Sequence, residues 1–296
     1  MAWRGVLLSR PARLRRDHGC CIVETDNGTV RLAFEDIAYL VLDSHEVSLS
    51  SAILASLAEA NVLVVACDAK HLPTGAMLPL QGHFRQVATL RLQLAASDGL
   101  KRRLWQRLIA QKILNQATAL RLLERPGHRA LEAMSARVET GDRTRVEARA
   151  ARDYFANLFQ DFQRRREGDV RNAMLNYAYA ILRAGLARGL AAQGFHPALG
   201  IEHDGIENAF NLADDLIEPF RPIADRHVAN RLAAREDSGN LTVDDRREMA
   251  RLLVVEVAMG SETVTILTAI ERMADGLVLA IRDREPDRLP LPSHID

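Results

Sequence analysis

The sequence predicts an α+β protein: a mostly β N-terminal domain over residues 1–83, followed by a larger all-α domain over residues 84–296. Three observations carry that prediction. Up to about residue 80 the apolar residues form short runs rich in Val, Ile and Leu, broken by turn residues. From Phe84 onward they recur at helical spacing in long segments. The change falls at the turn-rich stretch DAKHLPTGAMLP, which reads as a closing loop.

In the first part WRGVLL, GCCIVET, TVRLAF, IAYLVL and VLVVAC are the expected strands. Asp26, Asn27 and Gly28 separate two of them and favour the positive φ angles of a tight hairpin. Ser50 or Ser51 is placed to cap one helix, AILASLAEAN, which ends at Asn61. In the second part VATLRLQLAAS runs to a break at Asp98 and Gly99, and LKRRLWQRLIAQKILNQATALRLLE runs to Pro126 and Gly127. Further helices are expected over 128–140, 145–164, 169–192, 209–235, 243–257 and 260–283, with no strand among them. The tail from Pro286, through DRLPLPSHID, has no periodic pattern and is expected to be loose.

A chain of 296 residues with 48% apolar and 26% charged residues has an ordinary soluble composition and is long enough to bury a sizeable core. No apolar run approaches the roughly 18 residues of a membrane span, and MAWRGVLLSRPARLRR has too short an apolar core for a signal peptide, so a cytoplasmic location without membrane is expected. Cys20, Cys21 and Cys67 lack metal-site spacing and read as reduced thiols. The formal net charge of zero argues against a wholly basic nucleic-acid coat. Yet only Lys70, Lys101 and Lys112 are lysines, so nearly all the basic charge is arginine, whose planar fork suits phosphate. GC-rich coding gives the same bias. Arg164, Arg165 and Arg166 form a run, and Arg102, Arg103 and Arg107 recur along one predicted helix; a solvated face explains either.

The candidate chemistry begins in LADDLIEPFRP. Asp215 and Glu218 lie about 60° apart around a helix with one turn of rise between them, so both reach one cation. Pro219 and Pro222 remove the amide donors that a regular helix aims at the carbonyls of Asp215 and Glu218, and they predict a kink or irregular bonding there. A solvated ladder of Asp215, Glu218 and Arg221 accounts for the same spacing. In TRVEARAARDYFANLFQDF, the stripe of Ala150, Ala151, Tyr154, Phe155, Leu158 and Phe162 extends backward onto Glu147. That places a carboxylate at the head of a buried face, where a cation compensates its charge. Thr144 and Glu147 also fit a capping box, in which the glutamate only closes the helix start. The next helix sets Asp169, Asn172, Ala173, Asn176 and Ala180 on one inward face, where Asn172 and Asn176 either support a site from behind or serve close packing with satisfied hydrogen bonds. His203 lies in a loop between Gly200 and Gly205, where an imidazole either binds a metal, moves a proton or serves no site. Carboxylates with one imidazole favour Mg²⁺ or Mn²⁺ over zinc.

Taken together, WRGVLLSRPARL, FEDIAYLVLDSHEVSLSSAILASLAEANVLVVACDAKHLPTGAMLPLQGHFR, WQRLIAQKILNQA, EARAARDYF, NAMLNYAYAIL and GIEHDG leading into LADDLIEPFRP resemble the CRISPR adaptation integrase, the first CRISPR-associated protein, in the form accompanying type II systems. The resemblance covers nearly the whole chain. It implies that the N-terminal β domain dimerises and that the helical domain carries a divalent-metal-dependent DNA endonuclease and integrase. In that chemistry the 3′ hydroxyl ends of short duplex DNA attack phosphodiesters at the edge of a CRISPR repeat. The family's metal-binding residues fall on Glu147, His203, Asp215 and Glu218, the last being aspartate in some relatives. The implied partners are double-stranded DNA, a second copy of the chain, a small ferredoxin-like adaptation protein and the RNA-guided effector nuclease. His83, Arg85, Arg164, Arg165, Arg166 and Arg171 are the candidate DNA contacts. The rival enzyme reading is an isoprenoid synthase, for which DDLIE resembles the aspartate-rich motif; it requires a second metal motif and an aromatic-lined cavity, and only 5% of residues are aromatic. A non-catalytic DNA-binding or assembly protein is the other alternative.

Overall fold

The computed structural model describes residues 4–78, 86–164, 166, 168–235 and 239–295. Strands β1 (Arg4–Leu8), β2 (Ala12–Asp17), β3 (Cys20–Thr25) and β4 (Gly28–Ala33) open the chain. β2, β3 and β4 form an antiparallel meander. Its first turn is His18-Gly19, both at positive φ (40° and 77°), the backbone twist that two-residue hairpins prefer. The expected turn at Asp26 and Asn27 joins β3 to β4, with positive φ on Gly28 (123°) and not on the two residues before it. The sequence reading passes over β2 because three of its six residues are exposed arginines. Only Ala12 and Leu14 are buried there.

Strand β5 (Ile37–Leu42) pairs in parallel with β1 and with β7 (Leu63–Cys67); β8 (Pro73–Ala76) adds antiparallel to β7, giving the order β1-β5-β7-β8. The stretch expected to be a closing loop therefore supplies an edge strand. Between β5 and β7 run β6 (Val47–Leu49), which extends the meander beside β2, and helix α1 (Ser51–Glu59). The near-continuous apolar run of β5 fits a strand buried on both faces. Alternation along β7 shows why: Val62 and Val64 face a core shared with Leu14, Val23, Ile53 and Leu57, whereas Leu63, Val65 and Cys67 join the core of the helical part.

The helical part contains α2 (Gln86–Ala95), α3 (Asp98–Leu122), α4 (His128–Ser135), α5 (Val146–Leu158), α6 (Val170–Ala192), α7 (Asn211–Leu216), α8 (Arg221–Ala233), α9 (Val243–Arg251) and α10 (Ile266–Asp283). Ser97 caps α3 by accepting from the Leu100 amide. Helix α6 is buried nearly all round, as expected of a central helix, and packs on β7, β8, α8, α9 and α10. Among the described residues no helix is long and apolar enough to cross a membrane.

Two expectations fail here. The segments read as helical over 243–257 and 260–283 surrender their junction to a hairpin of β9 (Glu256–Met259) and β10 (Glu262–Thr265), turned at Gly260 (φ 64°). Val257 and Met259 are buried on alternate positions, a period-two signal too short to stand out between two helices. The tail is also ordered rather than loose. Leu289 is fully buried, Ser293 exchanges main-chain hydrogen bonds with Ala258, and Pro290 crosses α10 so closely that a Cβ on Gly276 would lie 2.1 Å from its Cδ.

Candidate metal centre

Glu147 lies in the first turn of α5, and its side chain does not close the helix start. Asp142 accepts from the Val146 and Glu147 amides at 2.8 and 3.1 Å, so Asp142 caps the helix, and the Thr144–Glu147 box is not formed. The Glu147 carboxylate is thereby left for a longer-range partner. Lys112, from the middle of α3, brings its ammonium 2.6 Å from Glu147 Oε1 and 2.5 Å from Glu218 Oε2. Its side chain is only 10% exposed.

Glu218 reaches that ammonium because the helix breaks where the prolines predict. After α7 the chain forms a 3₁₀ turn over Glu218–Phe220 before α8 resumes, with Phe220 donating to the Ile217 carbonyl at 2.8 Å. Asn115, one turn beyond Lys112 on α3, donates to the Pro219 carbonyl at 2.7 Å and to the Pro292 carbonyl of the tail at 3.0 Å. The break is thus fixed from two sides. Glu218 and Arg221 do form an i, i+3 rung at 2.7 Å, but Glu218 is buried and Asp215 takes no part, so the solvated ladder is absent. Although burial raises the Glu218 pKa, Lys112 and Arg221 outweigh it and hold the carboxyl at about 2.

Asp215 points into a different contact. Its Oδ2 accepts from the amides of Ile201 and Glu202 at 2.5 and 3.2 Å, and its Oδ1 faces the His203 amide at 3.1 Å and Nδ1 at 2.7 Å. Gly200 makes this wrap possible, since a Cβ there would sit 2.2 Å from the His203 carbonyl oxygen and 2.8 Å from Asp215 Oδ2. The Asp215 hydrogen bond raises the His203 pKa against the opposing effect of burial, and Glu218 adds to it through space. Trp105 meets the imidazole edge-on at 5.7 Å between centroids.

The four expected ligands therefore form two pairs, Glu147–Lys112–Glu218 and His203–Asp215, rather than one closed set, and among the described residues no three His, Cys, Asp or Glu side chains gather as a metal cluster. Both oxygens of Asp215 are filled, which makes it the support of the imidazole rather than a carboxylate open toward Glu147. The donor chemistry still fits a divalent cation: a positive group already rests between two carboxylates, and oxygen donors with one imidazole suit Mg²⁺ or Mn²⁺.

His203 borders two cavities. One, of about 470 Å³, is largely aliphatic, with Leu94, Leu104, Leu199 and Ile206 in its wall. The other, of about 560 Å³, is lined by Arg164, Arg183 and Arg221 together with Asn176, Tyr179 and Asp214. Neither is the deep aromatic cavity that an isoprenoid synthase requires. Arg164 is held by Asn172 Oδ1 at 2.8 Å and Asn176 Oδ1 at 2.9 Å, and it lies over the Tyr179 ring. The two asparagines thus position an arginine rather than back the expected ligands. Tyr179 hydrogen-bonds Asp225, whose pKa burial pushes up to about 7 against the lowering effect of that bond.

Arg171 is committed elsewhere: it grips Asp169 and donates to the Gln160 carbonyl at 2.6 Å, tying the start of α6 to the preceding loop. Arg166 is exposed. His83, Arg85 and Arg165 lie outside the described residues. The reading of the sequence missed Lys112, Asp142 and Arg183. For Lys112 the signal was present, because Leu104, Leu108 and Lys112 follow one buried stripe, the same rule that singles out Glu147.

Residues 6–248 match the family described as "CRISPR associated protein Cas1". The CRISPR-associated endonuclease Cas1 of Neisseria meningitidis serogroup C (strain 8013) is 33% identical over 296 residues, covering 99% of this chain and 96% of that protein. A casposase bound to integration product superposes with a TM-score of 0.78 at 19% identity, covering 95% of this chain and 91% of the other. A Cas6-RT-Cas1–Cas2 complex superposes with a TM-score of 0.71 at 18% identity; it covers 99% of this chain, which spans only 36% of that longer one. With the family match over most of its length and a full-length relative at 33% identity, the chain belongs to the Cas1 family of CRISPR-associated proteins.

Proposed function

We propose that this protein is the DNA integrase of CRISPR adaptation, joining the 3′ hydroxyl ends of a short DNA duplex to phosphodiesters at the edge of a CRISPR repeat by transesterification with Mg²⁺ or Mn²⁺. The observation that carries the reading is the meeting of Glu147 and Glu218 around one positive charge, beside a histidine and an arginine-lined cavity. The endonuclease name of the Neisseria relative and the integration product bound by the casposase support the same chemistry.

Glu147, Glu218 and His203 are the residues that would hold the ion, with Asp215 fixing the imidazole so that Nδ1 is taken and Nε2 is the free end. A divalent cation bound there supplies Lewis acidity to a phosphoryl oxygen and acidity to a hydroxyl. Arg164, Arg183 and Arg221 neutralise and orient the phosphate, and their contribution to DNA affinity weakens as salt rises. In the metal-free protein the same Nε2, on an imidazole whose pKa Asp215 raises, carries the proton that a bound cation would displace.

The partners belong to the same proposal. A second copy docks through the β-rich part, where β1 and β4 end their sheets and Val30 on β4 is 55% exposed, an edge that needs covering. The Cas2 component of the Cas6-RT-Cas1–Cas2 complex favours a small partner of that type here. The test is half-site integration into a repeat-bearing plasmid by the wild type and by folded Glu147→Ala, His203→Ala and Asp215→Ala proteins. Loss in all three supports the proposal. Wild-type rates in any folded ligand variant overturn its site assignment, and DNA binding without joining by the wild type selects the non-catalytic alternative.

A further inference from the structure

All but three of the 39 basic residues are arginines, yet the cation buried between Glu147 and Glu218 is a lysine. The two differ in a way that matters here. A guanidinium grips a carboxylate through a planar fork, while an ammonium is a point charge on a flexible stem that retracts by rotation about single bonds. Glu218 divides its oxygens between the two kinds of partner: Arg221 Nε donates to Oε1 at 2.7 Å, and Lys112 faces Oε2. Withdrawal of Lys112 leaves Glu218 with one cationic partner and frees the oxygen that shares this ammonium with Glu147. The root of the lysine stays fixed, because Asn115 on the same face of α3 is bonded to the Pro219 carbonyl.

We propose that Lys112 is a built-in counter-ion of the Glu147–Glu218 pair, lying where a divalent cation binds and displaced by it, so that the protein folds with its site charge-compensated before metal arrives. The inference rests on the metal-site reading above and adds a residue that regulates it. Without the ammonium, two carboxylates face each other in a poorly solvated site, which destabilises the metal-free protein and raises the affinity for any replacement cation. With it, metal must break two short ion pairs before binding.

The test is calorimetric titration of Mn²⁺ into the full-length wild type, Lys112→Met, Lys112→Arg and Glu218→Gln proteins, with thermal melting of each in EDTA and in Mn²⁺. Lys112→Met is expected to melt lower than wild type in EDTA, to gain more from Mn²⁺, and to bind it roughly tenfold more tightly. Lys112→Arg, which keeps a cation in place, is expected to bind Mn²⁺ no more tightly than wild type. If Lys112→Met is unfolded in EDTA, its recovery in Mn²⁺ supports the proposal and continued unfolding contradicts it. Mn²⁺ binding that Glu218→Gln abolishes but Lys112→Met does not tighten overturns the role of Lys112 alone. No binding by wild type or Lys112→Met, or binding that survives Glu218→Gln, overturns the metal-site reading itself.

Discussion

Asp215 holds His203 through a hydrogen bond of 2.7 Å to Nδ1, from a carboxylate that is itself fully buried and anchored by the main-chain amides of the loop carrying the histidine. One side chain thereby shapes the loop, selects which ring nitrogen is engaged and raises the pKa of the imidazole. The folded-state pKa lies above the usual 6.5, so the stabilisation from this pair is fully present below that value and is lost as pH rises through the folded pKa. Following the His203 ring by NMR in metal-free protein, the midpoint in the wild type is expected above 6.5 and that in Asp215→Asn lower. Equal midpoints in the two proteins contradict the pairing.

The cap of α5 makes a second prediction, because the sequence points to Thr144 and the structure gives the role to Asp142. Asp142→Ala removes the acceptor for the Val146 and Glu147 amides and is expected to lower stability by about 0.5–2 kcal/mol. Thr144→Ala, at an exposed position, is expected to stay within about 0.5 kcal/mol of wild type. Urea unfolding of both variants checks this, and a reversed order would restore the capping-box reading of Thr144 and Glu147.

Asn115 links the helix break to the C-terminal tail. Asn115→Ala leaves the buried carbonyls of Pro219 and Pro292 without that donor, with an expected loss of about 1–3 kcal/mol. Deleting residues 290–296 takes away the tail side of the contact and uncovers α10 at Gly276. Both changes are expected to slow integration more than they reduce the folded fraction, because Glu218 is in the turn that Asn115 holds; activity falling only in step with unfolding would assign Asn115 a purely structural role.

How far these features were readable depended on whether their cause was local. The runs of β5 and β7 announce buried strands because both faces of the sheet are covered, and Pro219 and Pro222 announce the break because a missing amide acts on its own helix. Strand β2 hides behind its arginines, and the hairpin at Gly260 is shorter than the helical pattern on either side. At the site, Glu147, His203 and Glu218 stand out by residue type and spacing. What spacing cannot give is the division of labour: Arg171 looks like a free cation in sequence and is spent on Asp169, while Asn172 and Asn176 serve Arg164. Lys112 follows the buried stripe of α3, but a helical lysine is ordinarily solvated, and only the fold brings α5 and the 3₁₀ turn to its two sides.

In the proposed reaction Glu147 and Glu218 act together with a divalent cation in joining DNA ends. The most direct measurement is the rate at which a labelled 3′ hydroxyl end is joined to repeat DNA by wild type, Glu147→Gln and Glu218→Gln, each shown to be folded, in Mn²⁺ and in EDTA. Joining by wild type only in Mn²⁺, with each variant slower by roughly 100-fold or more, is the predicted result. Joining in EDTA, or near-wild-type rates from either folded variant, would contradict it.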